Sequence, residues 1–300
     1  MGGLFLLPKY FILGDMPELP EVETIRQGLA RKILHKSIVA VEVRKKRMIF
    51  GRISDFIRSL RGVHIAGIDR VGKLLIFKLS QKDRYLLVHL KMTGQLIYQD
   101  KKTLIAGGHN FPKIEKLPNK YSHIIIKFRD GSHLYFNDLR QFGYARIVGE
   151  QEKNKIRAKF GLEPLSPEFT WVNFQKVFSA KKTKLKALLL NQQHLAGIGN
   201  IYADEICWSA KILPWRPAHK ISPAELKNLF NSSKIILARA IARGGTTFSD
   251  YRTAEGRPGG YRRQLKVYGR HNLKCVRCGR LILKKKINGR GTHYCAHCQK

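Results

Sequence analysis

Four cysteines near the end of the chain constrain its folding most. Cys275-x2-Cys278 and Cys295-x2-Cys298 are separated by sixteen residues, the spacing of a four-thiolate zinc site. A segment this short is held together by its metal. Four thiolates close a tetrahedral sphere and leave no position for water, so one zinc ion here is structural. A disulfide framework is disfavoured because residues 1–15 make a poor secretory signal. Pro8 and Lys9 interrupt the apolar run, and neither a basic leader nor a small-residue cleavage site is present. Leu6 stands where myristoylation needs Ser or Thr. The fifth cysteine, Cys207, lies in a helical pattern and reads as a small buried hydrophobe.

Ahead of that module the chain changes character once. Apolar stretches at 38–43, 63–68, 74–79, 85–90, 124–128, 134–136 and 145–148 alternate with turn signals, and Lys73–Leu79 alternates in polarity. Strands at this density imply an antiparallel sandwich or barrel, with one helix at 51–60. Residues 151–165 read as a linker, marked by the turn-rich run Gly161-Leu162-Glu163-Pro164-Leu165-Ser166-Pro167 that crosses its end. Helical patterns follow at 171–179, 184–190, 201–210 and 224–243, and 244–261 reads as a loop without periodicity. Between two helices, Gly197-Ile198-Gly199-Asn200 allows a tight turn close to a ligand.

Charge indicates the partner. Lys and Arg number 57 against 21 Asp and Glu, a net +36 over 300 residues, which implies a polyanion. No apolar run approaches the roughly 20 residues of a membrane-spanning helix, so nucleic acid is favoured over a membrane.

Chemistry enters at Met16-Pro17-Glu18-Leu19-Pro20-Glu21-Val22-Glu23-Thr24. If translation starts at Met16 and that residue is trimmed, Pro17 becomes a secondary amine protonating near the usual α-amino range of roughly 7.7–8.0. Such an amine attacks an electrophilic carbon and gives an iminium that is cationic without further protonation. Residues 1–15 read as an upstream mis-start or an extension; if retained, they leave Pro17 an inert amide. Pro20 suits a first helical turn, with Glu21 and Glu23 at the positive end of the dipole. Val22, Ile25 and Leu29 recur at helical spacing.

The ordered set MPELPEVET, His89-Leu90-Lys91-Met92-Thr93-Gly94, Asp138-Leu139-Arg140-Gln141-Phe142-Gly143, Gly197–Ala203 and Gly289–Cys295 resembles the bacterial formamidopyrimidine-DNA glycosylase family from Met16 to Lys300. The resemblance implies an α+β multidomain fold. A catalytic β-sandwich with flanking helices spans 16–150, and a helix–two-turn–helix domain spans 166–270, with 244–261 as its lesion-recognition loop. A zinc finger at 271–300 closes the chain. It implies a monomer, cytoplasmic and nucleoid-associated, that excises oxidised purines from damaged double-stranded DNA by glycosylase and β,δ-lyase chemistry.

The resemblance also assigns residues. Pro17 is the nucleophile, Glu18 an acid/base at the sugar, Glu21 a support for the amine and Lys73 the hairpin lysine reaching the damaged nucleotide. Met92, Arg140 and Phe142 fill the void of an extruded nucleotide. Lys182, Asn200 and Arg290 bind phosphate, with Arg290 also in the catalytic set, and His89 contacts DNA. From the residues alone other readings stay open. Glu18 and Glu21 also suit a helix start, Lys73 a solvated charge, Met92 and Phe142 a core, Arg140 a partner for Asp138, and Asn200 a helix cap. Gln141 departs from the family, where a second arginine is common. Two rivals remain: an endonuclease VIII-like enzyme for oxidised pyrimidines, whose start is closer to Pro-Glu-Gly-Pro, and a non-catalytic DNA-binding protein that keeps residues 1–15.

Overall fold

The computed structural model describes residues 16–108, 116–246 and 260–300. The extension at 1–15 and most of the 244–261 loop lie outside the described residues. Helix α1 (Leu19–Ile33) opens the chain, followed by β1 (Ile38–Val43), α2 (Ile53–Leu60) and eight further strands. These are β2 (Ile65–Val71), β3 (Leu74–Leu79), β4 (Arg84–His89), β5 (Gly94–Gln99), β6 (Leu104–Gly108), β7 (Ser122–Phe128), β8 (His133–Asp138) and β9 (Tyr144–Gly149).

Two antiparallel sheets, ordered β1-β7-β8-β5-β6 and β2-β3-β4-β9, form a sandwich. The period of two places Leu75, Phe77, Val88, Tyr98, Ile126 and Phe136 in one core between them. The alternate residues Leu74, Ile76 and Leu87 pack on the outer face, so β3 is buried on both faces. The spaced apolar positions of α1, from Val22 to Ile33, join the main core.

β5 and β6 were not among the sequence-derived strands. β5 begins on Gly94 and β6 ends on Gly107-Gly108, so glycine leaves each with only a few strand-favouring residues and weakens the local signal. The 151–165 segment is not a simple linker, because it begins with helix α3 (Glu150–Arg157). None of its residues is buried, so it lacks the apolar stripe that reveals a helix in sequence. The following residues are also tied down, with Gly161 and Leu162 N–H groups donating to the Gln192 and His194 carbonyls.

The second lobe contains α4 (Trp171–Phe178), α5 (Leu185–Leu190), α6 (Asn200–Ser209) and α7 (Pro223–Ala242) around Phe174, Leu188, Ile206 and Leu237. Cys207 is fully buried there, as its helical setting implies. Strands β10 (Leu283–Ile287) and β11 (Arg290–Tyr294) form the terminal hairpin. Among the described residues no helix is long and apolar enough to cross a membrane.

Candidate functional site

The beginning of α1 docks onto the turn before α6, and this junction organises the site. The Leu19 N–H donates to the Gly197 carbonyl at 3.0 Å. The Glu18 carboxylate accepts from the N–H groups of Gly199 (2.8 Å), Ile201 (2.8 Å) and Tyr202 (3.3 Å). Those donors belong to the N-terminus of a helix, where backbone groups need partners. The cap of α6 is therefore Glu18, supplied from a distant part of the chain, and not Asn200, which is the first residue of the helix. A side chain at Gly199 would collide with the Glu18 carboxylate. Gly197, at φ +92°, likewise lies against Leu19. Pro17 itself is buried at this junction.

Glu21 is fully buried and satisfied by four donors. Oε2 accepts from the Glu18 N–H at 3.0 Å, while Oε1 accepts from the Tyr202 hydroxyl (2.7 Å) and from the N–H (2.8 Å) and hydroxyl (3.0 Å) of Thr246. The helix-start reading holds, and the same carboxylate also ties α1 to α6 and to Thr246 beyond α7. Burial and then Glu21 push the Tyr202 hydroxyl well above its ordinary range, so it stays a donor.

Lys73 is not a solvated charge. It is only 6 % exposed, in the turn between β2 and β3. Burial draws its ammonium below the usual lysine range; Glu18 and Glu21 oppose that shift and Arg290 adds to it. Both backbone groups of the preceding Gly72 are held. Its N–H donates to Glu163 Oε2 at 2.6 Å, and its carbonyl accepts from Arg70 Nη1 at 2.8 Å. Arg70 pairs in turn with Glu163 (2.8 Å) and Glu23 (3.0 Å).

His89 ends β4, in register with both Leu74 and Tyr144. Its Nδ1 accepts from the Lys91 N–H at 3.0 Å, which leaves Nε2–H as the donor. Burial, then Lys91 and Lys73, lowers the imidazole to about 3, so it is neutral at physiological pH.

Met92, Arg140 and Phe142 form a separate cluster. Arg140 Nη1 lies 3.1 Å from Met92 Sδ, and its guanidinium carbon is 4.7 Å from the Phe142 ring centre. Phe142 is 51 % exposed and Met92 half-buried, so neither is a core residue. Nor does the Arg140 side chain pair with Asp138. That carboxylate is buried and shapes the loop by accepting from the N–H groups of Arg140 (3.1 Å) and Gly143 (2.7 Å) and from the Thr93 hydroxyl.

The zinc hairpin is clamped to the helical lobe. Lys186 Nζ, almost fully buried, pairs with Asp204 at 2.6 Å and donates to the Gly291 carbonyl (3.0 Å) and the Thr292 hydroxyl (2.9 Å). Asp204 also accepts from the His293 N–H at 2.8 Å. Glu205 accepts from the N–H groups of Lys266, Val267 and Tyr268. These contacts fix the strand carrying the exposed Arg290, whose charge reaches Lys73. Asn200 Oδ1 is buried without a hydrogen-bond partner, and Nδ2 lies 3.5 Å from the Tyr268 hydroxyl. Lys182 is exposed ahead of α5.

The four sulfurs of Cys275, Cys278, Cys295 and Cys298 lie within 4.8 Å of one another, with two pairs at 3.9 and 3.5 Å. Tetrahedral zinc with bonds of about 2.3 Å needs separations of about 3.8 Å. The cluster therefore fits one closed structural zinc site.

The structure thus brings Glu18, Glu21, Lys73 and Arg290 within electrostatic reach of one another, with Pro17 buried next to Glu18, while Met92, Arg140 and Phe142 touch one another in a second cluster. Glu163, Arg70, Lys186, Asp204, Glu205 and Tyr202 were missed in the sequence. A signal was available for two of them. Adjacent carboxylates at 204 and 205 inside an apolar helical run are costly to bury unless partnered.

Three family models cover the described architecture. Formamidopyrimidine-DNA glycosylase N-terminal domain matches residues 16–145, Formamidopyrimidine-DNA glycosylase H2TH domain matches 160–252, and the zinc finger found in FPG and IleRS matches 272–300. A formamidopyrimidine-DNA glycosylase of Listeria monocytogenes is 40 % identical over 289 residues, covering 95 % of this chain and all of that protein. The crystal structure of wild-type Lactococcus lactis Fpg with an N7-benzyl-Fapy-dG containing DNA has a TM-score of 0.82 at 33 % identity, over 95 % of this chain and all of that one. The same organism's Fpg bound to an abasic site containing DNA gives 0.81 at 33 % identity, over 94 % and 99 % of the two chains.

Proposed function

Because this chain belongs to the formamidopyrimidine-DNA glycosylase family, we propose that it is a bifunctional DNA glycosylase and AP lyase excising oxidised purines from duplex DNA, acting in the cytoplasm at the nucleoid. The observation carrying this reading is the docked start of α1, which buries Pro17 next to Glu18 in the chain and sets Glu18 and Glu21 where their charges act on buried Lys73.

Once residues 1–16 are removed, the Pro17 nitrogen has a lone pair. It attacks C1′ of the extruded nucleotide, forming an N–C1′ bond as the bond to the damaged base breaks and the base leaves protonated. Glu18 gives a proton to the ring oxygen O4′ as the C1′–O4′ bond breaks, and the nitrogen, its own proton already passed to the departing base, forms the iminium. Loss of a C2′ proton then expels the 3′ phosphate, further elimination expels the 5′ phosphate, and water frees Pro17. Glu18 and Glu21 hold the attacking residue against α6. Lys73, whose ammonium burial draws below the usual lysine range, is suited to proton transfer at the nucleotide. His89 offers a neutral Nε2–H to the same corner. Arg290, Asn200 and Lys182 supply phosphate contacts, and Met92, Arg140 and Phe142 fill the vacated stack.

Borohydride reduces the iminium to a stable amine, so protein beginning at Pro17 should become covalently trapped on duplex DNA containing 8-oxoguanine. The 300-residue form, with its amide at Pro17, should not. Native-rate trapping by both the 300-residue form and a Pro17→Gly variant would remove Pro17 from the nucleophile's place.

A further inference from the structure

The segment between β1 and α2 has no part in the chemistry above, yet combines an exposed ring with dense positive charge. Arg44-Lys45-Lys46-Arg47 are consecutive and exposed, as is Arg52. Met48 and Ile49 are buried anchors. Between these charges Phe50 is 53 % exposed. Its ring is supported, with Tyr144 meeting it edge-on at 5.3 Å and the Arg146 guanidinium 5.1 Å from its centre.

This segment is built against the wedge. Ile49 forms a bridge with Ala145, and the Phe50 N–H donates to the Ala145 carbonyl at 3.3 Å. Arg47 Nη2 donates to the Arg140 carbonyl at 3.2 Å. The nearby carboxylates are engaged, Glu42 with Arg44 at 2.6 Å and Glu152 with Arg146. The surface thus continues the wedge, with cations around one propped aromatic ring.

A ring flanked by cations suits stacking on a nucleobase above a tracked backbone. Paired DNA hides its base faces, whereas an unpaired nucleotide beside the extrusion site exposes one. We propose that Phe50, backed by Tyr144 and Arg146, is a stacking shelf for an unpaired base next to the wedge, with the Arg44–Arg47 run holding that strand's phosphates. The proposal rests on the glycosylase reading and extends its substrates to lesions beside gaps or bulges.

Equilibrium binding to three duplexes carrying a stable abasic-site analogue tests it. One is fully paired, and two carry three unpaired thymines beside the analogue, on one strand or the other. Stacking should favour one unpaired duplex by roughly 5- to 150-fold. Phe50→Ala should erase that preference while changing affinity for the paired duplex less than about twofold, and Phe50→Trp should keep it. The shelf is overturned if the unaltered protein shows no preference on either strand, or if Phe50→Ala leaves the preference intact. Equal weakening of all three duplexes by Phe50→Ala also overturns it, since Phe50 would then be inserted into paired DNA. If the unaltered protein, begun at Pro17, neither prefers the analogue over undamaged duplex nor traps with borohydride, the glycosylase reading falls and the shelf with it. Normal trapping with no Phe50 effect sinks the shelf alone.

Discussion

The two clusters that the proposed mechanism brings to DNA are built in opposite ways. Around Pro17 the side chains of Glu18, Glu21 and Lys73 are buried, and Glu21 alone engages four donors. Around Met92 the side chains protrude, and Arg140 and Phe142 are held largely by each other and by a loop shaped from beneath by Asp138. Covalent attack tolerates little misplacement, because a reacting group must sit within hydrogen-bond or attack distance. A wedge only has to occupy space after a nucleotide has left. On the proposed mechanism, accuracy is built where bonds change and exposure where the duplex is invaded.

Zinc removal should break the contrast most severely. A structural zinc contributes on the order of 10–16 kcal/mol to a small module, so chelation or Cys278→Ser should release Arg290 and abolish duplex binding. The sandwich and its wedge loop should remain folded. Unchanged DNA affinity in protein shown by elemental analysis to lack zinc would contradict this.

A smaller effect is expected at Glu21. Glu21→Ala strands the Tyr202 hydroxyl and the Thr246 and Glu18 N–H groups in a buried setting, at about 1–3 kcal/mol each where water cannot enter. Urea unfolding should show a loss of about 3 kcal/mol or more. A loss below about 1 kcal/mol would mean that the buried corner is no more constrained than the wedge.

The wedge should behave in reverse. Met92→Ala and Phe142→Ala should alter stability by less than about 1 kcal/mol. Extrusion costs a few kcal/mol, so losing half of the compensation should slow excision of a base-paired lesion roughly tenfold. Cleavage at a preformed abasic site should be nearly unaffected. Equal losses on both substrates would return these residues to a core or phosphate role.

The least conspicuous change is in salt dependence. Arg290→Ala should lower the log–log slope of duplex binding by about 0.9, whereas Asn200→Ala, which removes no charge, should weaken binding with little change of slope, and Met92→Ala should leave it unchanged. A large slope change for Met92→Ala would merge the two clusters.

Much of the architecture was legible in the residues. Strands β1 and β3 fall where apolar alternation put them, and α4 through α7 begin and end within one residue of the helical patterns. Helix α3 escaped because its eight residues bury nothing, leaving no stripe to read. In the site, the cysteines were read from their spacing, and Pro17 and Lys73 were singled out by the resemblance to the family. Glu163 and Lys186 were not, because their partners, Gly72 and Gly291, are 91 and 105 residues away.

The sequence by itself determined the zinc module, the strand-rich and helical halves, the cationic character and the proline whose liberation would supply an amine. These are set by neighbours along the chain: cysteine spacing, side-chain period and bulk charge. Only the tertiary structure decided that Glu18 caps α6 from 181 residues away, that Lys73 is buried against Glu18 and Glu21, and that Phe142 and Phe50 face outward. Those outcomes depend on how the two lobes dock, since hydrogen bonding and desolvation act through space and reward whichever donors and charges the docking brings together.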